Sequence, residues 1–181
     1  MSMPRLIAPA LVALAIGIAI GMAPLAAADS PHLGTPIAEA DIGAWNITVF
    51  PDGTGLPPGS GTPAQGAAVY AGKGCAACHG ENAAGGANGA LVGNPPLDRI
   101  EARKTIANFW ANATTLFDLI RRGMPWPSPR TLSNDEVYAL TAYLLALNKI
   151  IGEQDVMNAQ TLPKVKMPNR DNFIIRFPDR I

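Results

Sequence analysis

Both cysteines of the sequence lie within five residues, Cys75-Ala76-Ala77-Cys78-His79, together with one of its two histidines. The pattern C-x-x-C-H is the attachment sequence of a c-type haem. On a helical turn, positions i, i+3 and i+4 share one face, so the two thiols can add to the two vinyl groups of a haem while the imidazole reaches the iron. The pattern therefore predicts one covalent haem c, attached through Cys75 and Cys78, with His79 as an axial ligand.

Two other chemistries also use a pair of cysteines. A C-x-x-C pair can act as a redox dithiol, and it can form half of a zinc site. A structural zinc ion needs about four protein ligands. Because there is no third cysteine, the missing ligands would have to include His32 and a carboxylate from elsewhere in the chain. The haem interpretation needs only the five residues of the motif and is therefore favoured.

A haem that only carries electrons needs a second axial ligand opposite His79. Met124 is the leading candidate, because it follows a predicted helix end at Gly123 and precedes Pro125. We expect the glycine to leave the helix in a left-handed conformation and the proline to fix the next segment, so that the sulfur is presented from an extended loop. A single methionine more commonly packs in a core. The alternative ligands are Met157, Met167 and His32.

Ligation by His79 and Met124 would favour electron transfer over catalysis at the iron. Methionine sulfur stabilises the ferrous state, so His/Met ligation raises the reduction potential relative to His/His ligation. Two filled axial positions also keep oxygen and peroxide off the iron. We therefore predict outer-sphere electron transfer by a protein that is not an enzyme. The enzyme alternatives, a peroxidase or a thiosulfate-oxidising cytochrome, usually need an open or thiolate-bound iron, and both cysteines are already used.

Buried haem propionates need hydrogen-bond donors or positive charge. The indole N–H of Trp110 and the guanidinium group of Arg121 are the candidates, and Arg122 and Arg103 are further possibilities. The imidazole of His79 should donate its other N–H to a backbone carbonyl, which orients the ring. We expect that carbonyl in the loop 90–96.

The N-terminus has the pattern of a secretory signal. Arg5 gives a short positive region, an apolar stretch follows, and Ala26-Ala27-Ala28 offers a small-residue cleavage site. The alternative is an uncleaved membrane anchor, since the apolar stretch is near the lower length for spanning a bilayer. Cleavage after Ala28 would leave 181 − 28 = 153 residues with a charge of 13 − 14 = −1, because Arg5 is removed. We expect a periplasmic protein, and the absence of a basic run makes nucleic acid an unsuitable partner.

The sequence predicts that helices position the candidate haem-binding residues. Capping patterns at Thr62 and Ser133 start a first and a last helix, and further helical stretches are expected over 104–112 and from Thr114 or Thr115 to Gly123. No alternating strand pattern of useful length is present, so the fold class is all-α. The predicted organisation is a signal peptide (1–28), an N-terminal extension (29–61), a haem domain (62–148) and a C-terminal extension (149–181).

The haem domain resembles a class I cytochrome c. The resemblance lies in Gly66-x-x-x-Tyr70, the C-A-A-C-H motif, the helix ending in Gly-Met-Pro and the aromatic last helix. It implies that the first and last helices cross, with Gly66 and Tyr70 against Tyr143 and Leu144. One departure concerns the loop whose backbone carbonyl accepts a hydrogen bond from the axial histidine, which is His79 here. The class usually begins this loop with proline, whereas Ala90 precedes Leu91-Val92-Gly93 here.

A narrower resemblance extends into both flanks. Segments such as Ala44-Trp45-Asn46-Ile47, Pro51 to Pro57 and Leu162-Pro163 are similar to the cytochrome c subunits of Sox-type sulfane dehydrogenases, and related cytochromes serve sulfite dehydrogenases. The resemblance implies a molybdenum-cofactor dehydrogenase subunit as electron donor and a downstream cytochrome or oxidase as acceptor. It also implies that residues 29–61 and 149–181 dock on that enzyme. The alternative is a free electron shuttle to a terminal oxidase.

Overall fold

The computed structural model describes residues 34–43 and 45–174. The signal pattern, the anchor alternative and His32 lie outside these residues. The chain divides between Ile42 and Gly43 into two compact units. The described part of the first unit holds one helical turn, α1 (Glu39–Ile42), with no buried residue. Within the described residues, no helix is long and apolar enough to cross a membrane.

The regular secondary structure in the described part of the second unit is mainly helical, which confirms the all-α fold class. Its helices are α2 (Pro63–Gly72), α3 (Ala76–His79), α4 (Ile106–Phe109), α5 (Ala113–Gly123) and α6 (Asn134–Leu147). Two-residue strands, β1 (Ser60–Gly61) and β2 (Met157–Asn158), form an antiparallel pair, and two 3₁₀ turns follow at Leu162–Lys164 and Arg170–Asn172.

Both predicted capping boxes are present. The Thr62 hydroxyl accepts from the Gln65 backbone N–H at 3.3 Å, and the Gln65 side chain accepts from the Thr62 N–H at 2.9 Å. Ser133 and Glu136 make the same reciprocal pair at 3.2 and 2.8 Å. Each box satisfies two N–H groups that the first turn of a helix leaves without partners. Local side-chain chemistry therefore fixes the start of α2 and of α6.

Helices α2 and α6 cross at a glycine, as the resemblance implied. A Cβ atom at Gly66 would overlap the carbonyl oxygen of Ala139 and the Cβ atom of Tyr143. The rings of Tyr70 and Tyr143 pack beside this crossing, with their centroids 5.4 Å apart. Only a residue without a side chain allows the two backbones to approach so closely, and this approach places the end of α2 next to the haem-binding motif.

One predicted helix end and one predicted conformation at a helix end were wrong. The stretch 104–112 contains only one helical turn, because Thr105 caps α4 and Trp110 ends it in an extended conformation. Asn112 already caps α5. Gly123 does not adopt a positive φ. It stays within α5, and the chain turns away at Met124, whose φ is −118° and ψ is 146°.

Parts of both flanks that belong to the second unit pack onto its helical core. Strand β1 precedes α2 and pairs with β2 from the C-terminal flank. Met157, Leu162 and Met167 of that flank are at most 4% exposed. On the N-terminal side, the Tyr138 hydroxyl donates to the Pro57 carbonyl at 2.9 Å. The flanks therefore contribute to the same core as the haem domain, while the domain boundaries given above stay predictions.

Candidate functional site

The motif residues lie on a single helical turn directly after α2. Gly74, with φ +72°, turns the chain between the two elements, and the His79 N–H donates to the Cys75 carbonyl at 3.0 Å. Gly80 ends the turn with φ +82°. A Cβ atom at Gly80 would overlap the carbonyl oxygen of Ala84, so the chain can fold back tightly only with glycine here.

The turn borders a cavity of about 470 Å³. Cys75, Cys78 and His79 line one side of it, and Met124 and Trp110 also line it. Apolar residues of α5 and α6 form part of the remaining wall, including Leu116, Ile120, Leu140 and Leu144. The structure therefore brings five of the six predicted site residues to one apolar cavity.

Met124 reaches the cavity from the end of α5. Its N–H makes the last helical hydrogen bond, to the Ile120 carbonyl at 3.1 Å, and its extended backbone then leads into a cis peptide bond to Pro125. The alternative ligands Met157 and Met167 are buried in the core and do not line the cavity. Among the described methionines, Met124 is thus the one that lines the cavity, and its role as an iron ligand stays a prediction.

The donor set of the cavity fits a covalent haem. Both thiols are free and half-buried, and Nδ1 of His79 is buried with no hydrogen-bond partner. Burial, as the main cause, raises the pKa of the Cys75 thiol. A redox dithiol needs the opposite shift, because the thiolate is the reactive form. Over residues 34–43 and 45–174, no group of three or more His, Cys, Asp or Glu residues could hold a metal ion.

Comparison with known proteins agrees with this geometry. The family model described as Cytochrome c matches residues 63–148. A chain of the crystal structure of the sulfane dehydrogenase SoxCD from Paracoccus pantotrophus is 37% identical, with a TM-score of 0.73, over 83% of this chain and 75% of that chain. The chain belongs to the cytochrome c family. No curated protein matches it.

Membership in the family establishes the cofactor and the class of activity. The cytochrome carries covalent haem c, and the spacing of Cys75 and Cys78 fits its attachment. Its role is electron transfer and not catalysis. When bound, the haem supplies reversible one-electron chemistry at its iron. The implied helix crossing and the resemblance to the Sox cytochromes agree with the structure and the comparison.

The prediction that Arg121 contacts a propionate is not supported. Arg121 does not line the cavity, and its Nη1 donates to the Ile47 carbonyl of the N-terminal flank at 3.4 Å. Arg122 pairs with Asp118 at 2.7 Å, one turn away on α5. The sequence could not reveal the contact of Arg121, because it depends on where the flank packs. Trp110 does line the cavity, and its propionate contact stays a prediction.

The loop 90–96 was expected to supply a carbonyl to His79, and the structure shows no such bond. Three of its carbonyls accept from other groups. Leu91 accepts from Ile106 and Asn148, Gly93 from the Thr105 hydroxyl, and Pro95 from Asn108. These side chains hold the loop in place.

Sequence reasoning missed several residues around the cavity. The Tyr70 hydroxyl donates to the Gly80 carbonyl at 2.7 Å, and burial, as the main cause, raises the pKa of Tyr70 to about 12, so the donor stays protonated at neutral pH. Lys73 lines the cavity and pairs with Glu136 at 2.8 Å. Trp126 also lines the cavity although it is 78% exposed, so the cavity reaches the surface there. Trp126 directly follows Gly123-Met124-Pro125. This position beside the predicted iron ligand was the sequence signal that could have identified it.

Proposed function

We propose that this protein is a periplasmic mono-haem cytochrome that carries electrons for a molybdenum-cofactor dehydrogenase acting on sulfane sulfur or sulfite. The supporting observation is the extent of its likeness to a chain of SoxCD. The family model covers 86 residues, from 63 to 148, whereas the likeness to SoxCD covers 83% of the 181 residues, or about 150. The similarity therefore extends well into the flanks, which a general resemblance between haem domains would not require.

The residues of the cavity have distinct roles in this proposal. Cys75 and Cys78 would hold the haem through thioether bonds, and His79 and Met124 would ligate its iron. The apolar side chains of α5 and α6 exclude water, which sets the reduction potential together with the ligands. Trp126 marks the side of the cavity that a partner can approach, because it is both a lining residue and 78% exposed.

The structure changes how the docking role of the flanks must be tested. Because Met157, Leu162 and Met167 are buried in the core, deleting the C-terminal flank would disturb the fold itself. Its exposed apolar side chains are the ones available to a partner. Ile174 is 92% exposed and Phe173 is 51% exposed, and Trp45 of the N-terminal flank is 75% exposed. Tryptophan is one of the residue types that contribute most to the energy of interfaces when a partner buries them.

The test is co-purification of the tagged cytochrome with the molybdenum enzyme of its own host, followed by addition of sulfane sulfur or sulfite. We expect a stable complex whose haem is reduced by one of the two substrates. Ile174→Ser should weaken the complex, whereas Ile100→Ser, at an isoleucine of the haem domain that is 88% exposed, should not. A cytochrome that elutes alone and is reduced by neither substrate would favour the free shuttle.

The proposed location rests on the N-terminal signal pattern. We expect the mature protein to begin at Asp29 and to fractionate with the periplasm, which N-terminal sequencing of the purified protein can check. An N-terminus at Met1 in the membrane fraction would instead indicate an uncleaved anchor.

A further inference from the structure

Asn148, the residue that ends α6, contacts the loop Leu91–Gly93 through both ends of its side-chain amide. Its Oδ1 accepts from the Gly93 N–H at 3.1 Å. Its Nδ2 donates to the Leu91 carbonyl at 3.2 Å and to the Leu144 carbonyl at 2.8 Å. One half-buried amide therefore binds a loop more than fifty residues away in sequence to the end of the last helix.

This loop is part of the cavity wall. Leu91 lines the cavity together with His79. Two groups at the start of α4 hold the loop from another direction, since the Ile106 N–H donates to the Leu91 carbonyl at 3.2 Å and the Thr105 hydroxyl donates to the Gly93 carbonyl. Asn148 supplies the contacts that come from α6.

A continuous series of backbone hydrogen bonds links Leu91 to the residue after His79. The Leu91 N–H donates to the Ala83 carbonyl at 2.7 Å, and the Ala83 N–H donates to the Gly80 carbonyl at 3.1 Å. Ala83 is fully buried. These hydrogen bonds connect the cavity wall at Leu91 to Gly80, which directly follows His79.

We propose that Asn148 is a positioning residue for His79, acting through Leu91, Ala83 and Gly80. The support reaches His79 through its backbone, because Gly80 directly follows it. An axial histidine is ordinarily oriented by a hydrogen bond from its other ring nitrogen, and the position of its backbone limits where the ring can lie. The inference rests on the assignment of His79 as an iron ligand in the proposed function.

The experiment compares Asn148→Leu with Asn169→Leu in the holoprotein. Leucine keeps the branching and the number of heavy atoms of the asparagine side chain and removes the amide. Asn169 is a matched control, because its Nδ2 also donates to a backbone carbonyl, that of Phe109 at 3.1 Å. Phe109 does not line the cavity, whereas Leu91, which Asn148 binds, does. The measurements are the midpoint potential, the hyperfine-shifted resonances of the His79 ring in the ferric protein, and the thermal midpoint.

We expect both variants to lose stability. Only Asn148→Leu should also shift the His79 resonances and make the potential more negative, since a loosened wall admits water and stabilises the ferric state. Unchanged potential and resonances in Asn148→Leu, or equal shifts in both variants, would overturn the proposal. If Asn148→Leu yields no holoprotein, Asn148→Gln and Asn169→Gln, which keep a displaced amide, take their place in the same comparison.

A measurement on the unaltered protein adds an independent check. The Gly93 N–H lies in a loop, and its acceptor is the Asn148 side chain. Its hydrogen exchange should therefore be protected, in contrast to the amide of the exposed loop residue Gly85. Equally fast exchange at both positions would overturn the inference without bearing on the ligands, whereas absence of His79 resonances typical of an iron ligand would contradict the proposed function.

Discussion

Replacing Gly66 by alanine tests the helix crossing on which the site is built. A Cβ atom at Gly66 would meet the backbone of Ala139, which cannot move away as a flexible side chain can. Overpacking of a well-packed core costs about 1–3 kcal/mol, and a clash with backbone belongs near the upper end, at about 3 kcal/mol. Alanine is about 1 kcal/mol better than glycine within a helix. The expected net loss of stability is therefore about 2 kcal/mol.

Gly72 on the same helix provides the control, since a Cβ atom there would meet nothing within 4 Å. Gly72→Ala should leave stability unchanged or raise it by up to about 1 kcal/mol. Urea unfolding followed by far-ultraviolet circular dichroism measures both changes. For a protein of this size, 2 kcal/mol corresponds to a fall of about 4–8 °C in the thermal midpoint. Equal stability of Gly66→Ala and Gly72→Ala would refute the close approach of α2 and α6.

Three further predictions concern the ligand, the flank and the pH dependence. Met124→Ala should abolish the sulfur-to-iron charge-transfer band of the ferric protein and allow carbon monoxide to bind the ferrous protein; retention of the band would exclude Met124 as the ligand. Leu162→Ala should lower the free energy of unfolding, measured with urea, by about 2–5 kcal/mol, because Leu162 is fully buried. A decrease of less than about 1 kcal/mol would show that the flank is not part of the core. The Lys73 side chain, as the largest cause, lowers the pKa of Glu136 below 4.5. A lowered folded-state pKa stabilises the fold above the unfolded value, and this contribution is lost as the pH falls through the folded value. The wild type should therefore lose more stability than Glu136→Gln below pH 4.5, and parallel pH profiles would contradict this.

The features that could be predicted from the sequence are those set by local chemistry. The Thr62 and Ser133 caps depend on side chains three residues apart, so their patterns are visible without the fold. The haem attachment motif is equally local. Met124 was located by its neighbours, although the proposed reason was partly wrong, because the helix continues through Gly123 and the extended conformation begins at Met124 itself.

The features that could not be predicted depend on long-range packing. The guanidinium group of Arg121 could donate hydrogen bonds to a propionate, but it donates instead to the Ile47 carbonyl of the N-terminal flank. Met167 resembles Met124 in preceding a proline, yet it is buried in the core at 1% exposure. Asn148 carries no recognisable motif, since its partners are 55 and 57 residues away. Residue type and spacing describe what such side chains could do, and only the fold decides which of those contacts they make.

The pairing of β1 with β2 also has a consequence for the order of folding. Gly61 and Met157 are paired, and 157 − 61 = 96 residues separate them. Closing a loop of that length costs chain entropy before the contacts formed can compensate for it. The α2–α6 crossing already closes a loop of 139 − 66 = 73 residues, since it joins Gly66 to Ala139. Only the short segments from β1 to α2 and from α6 to β2 then remain to be closed, so the two strands would join after the crossing and separate before it. We expect the C-terminal flank to open as a local unit, so that limited proteolysis of the native protein begins there while the haem domain is still folded.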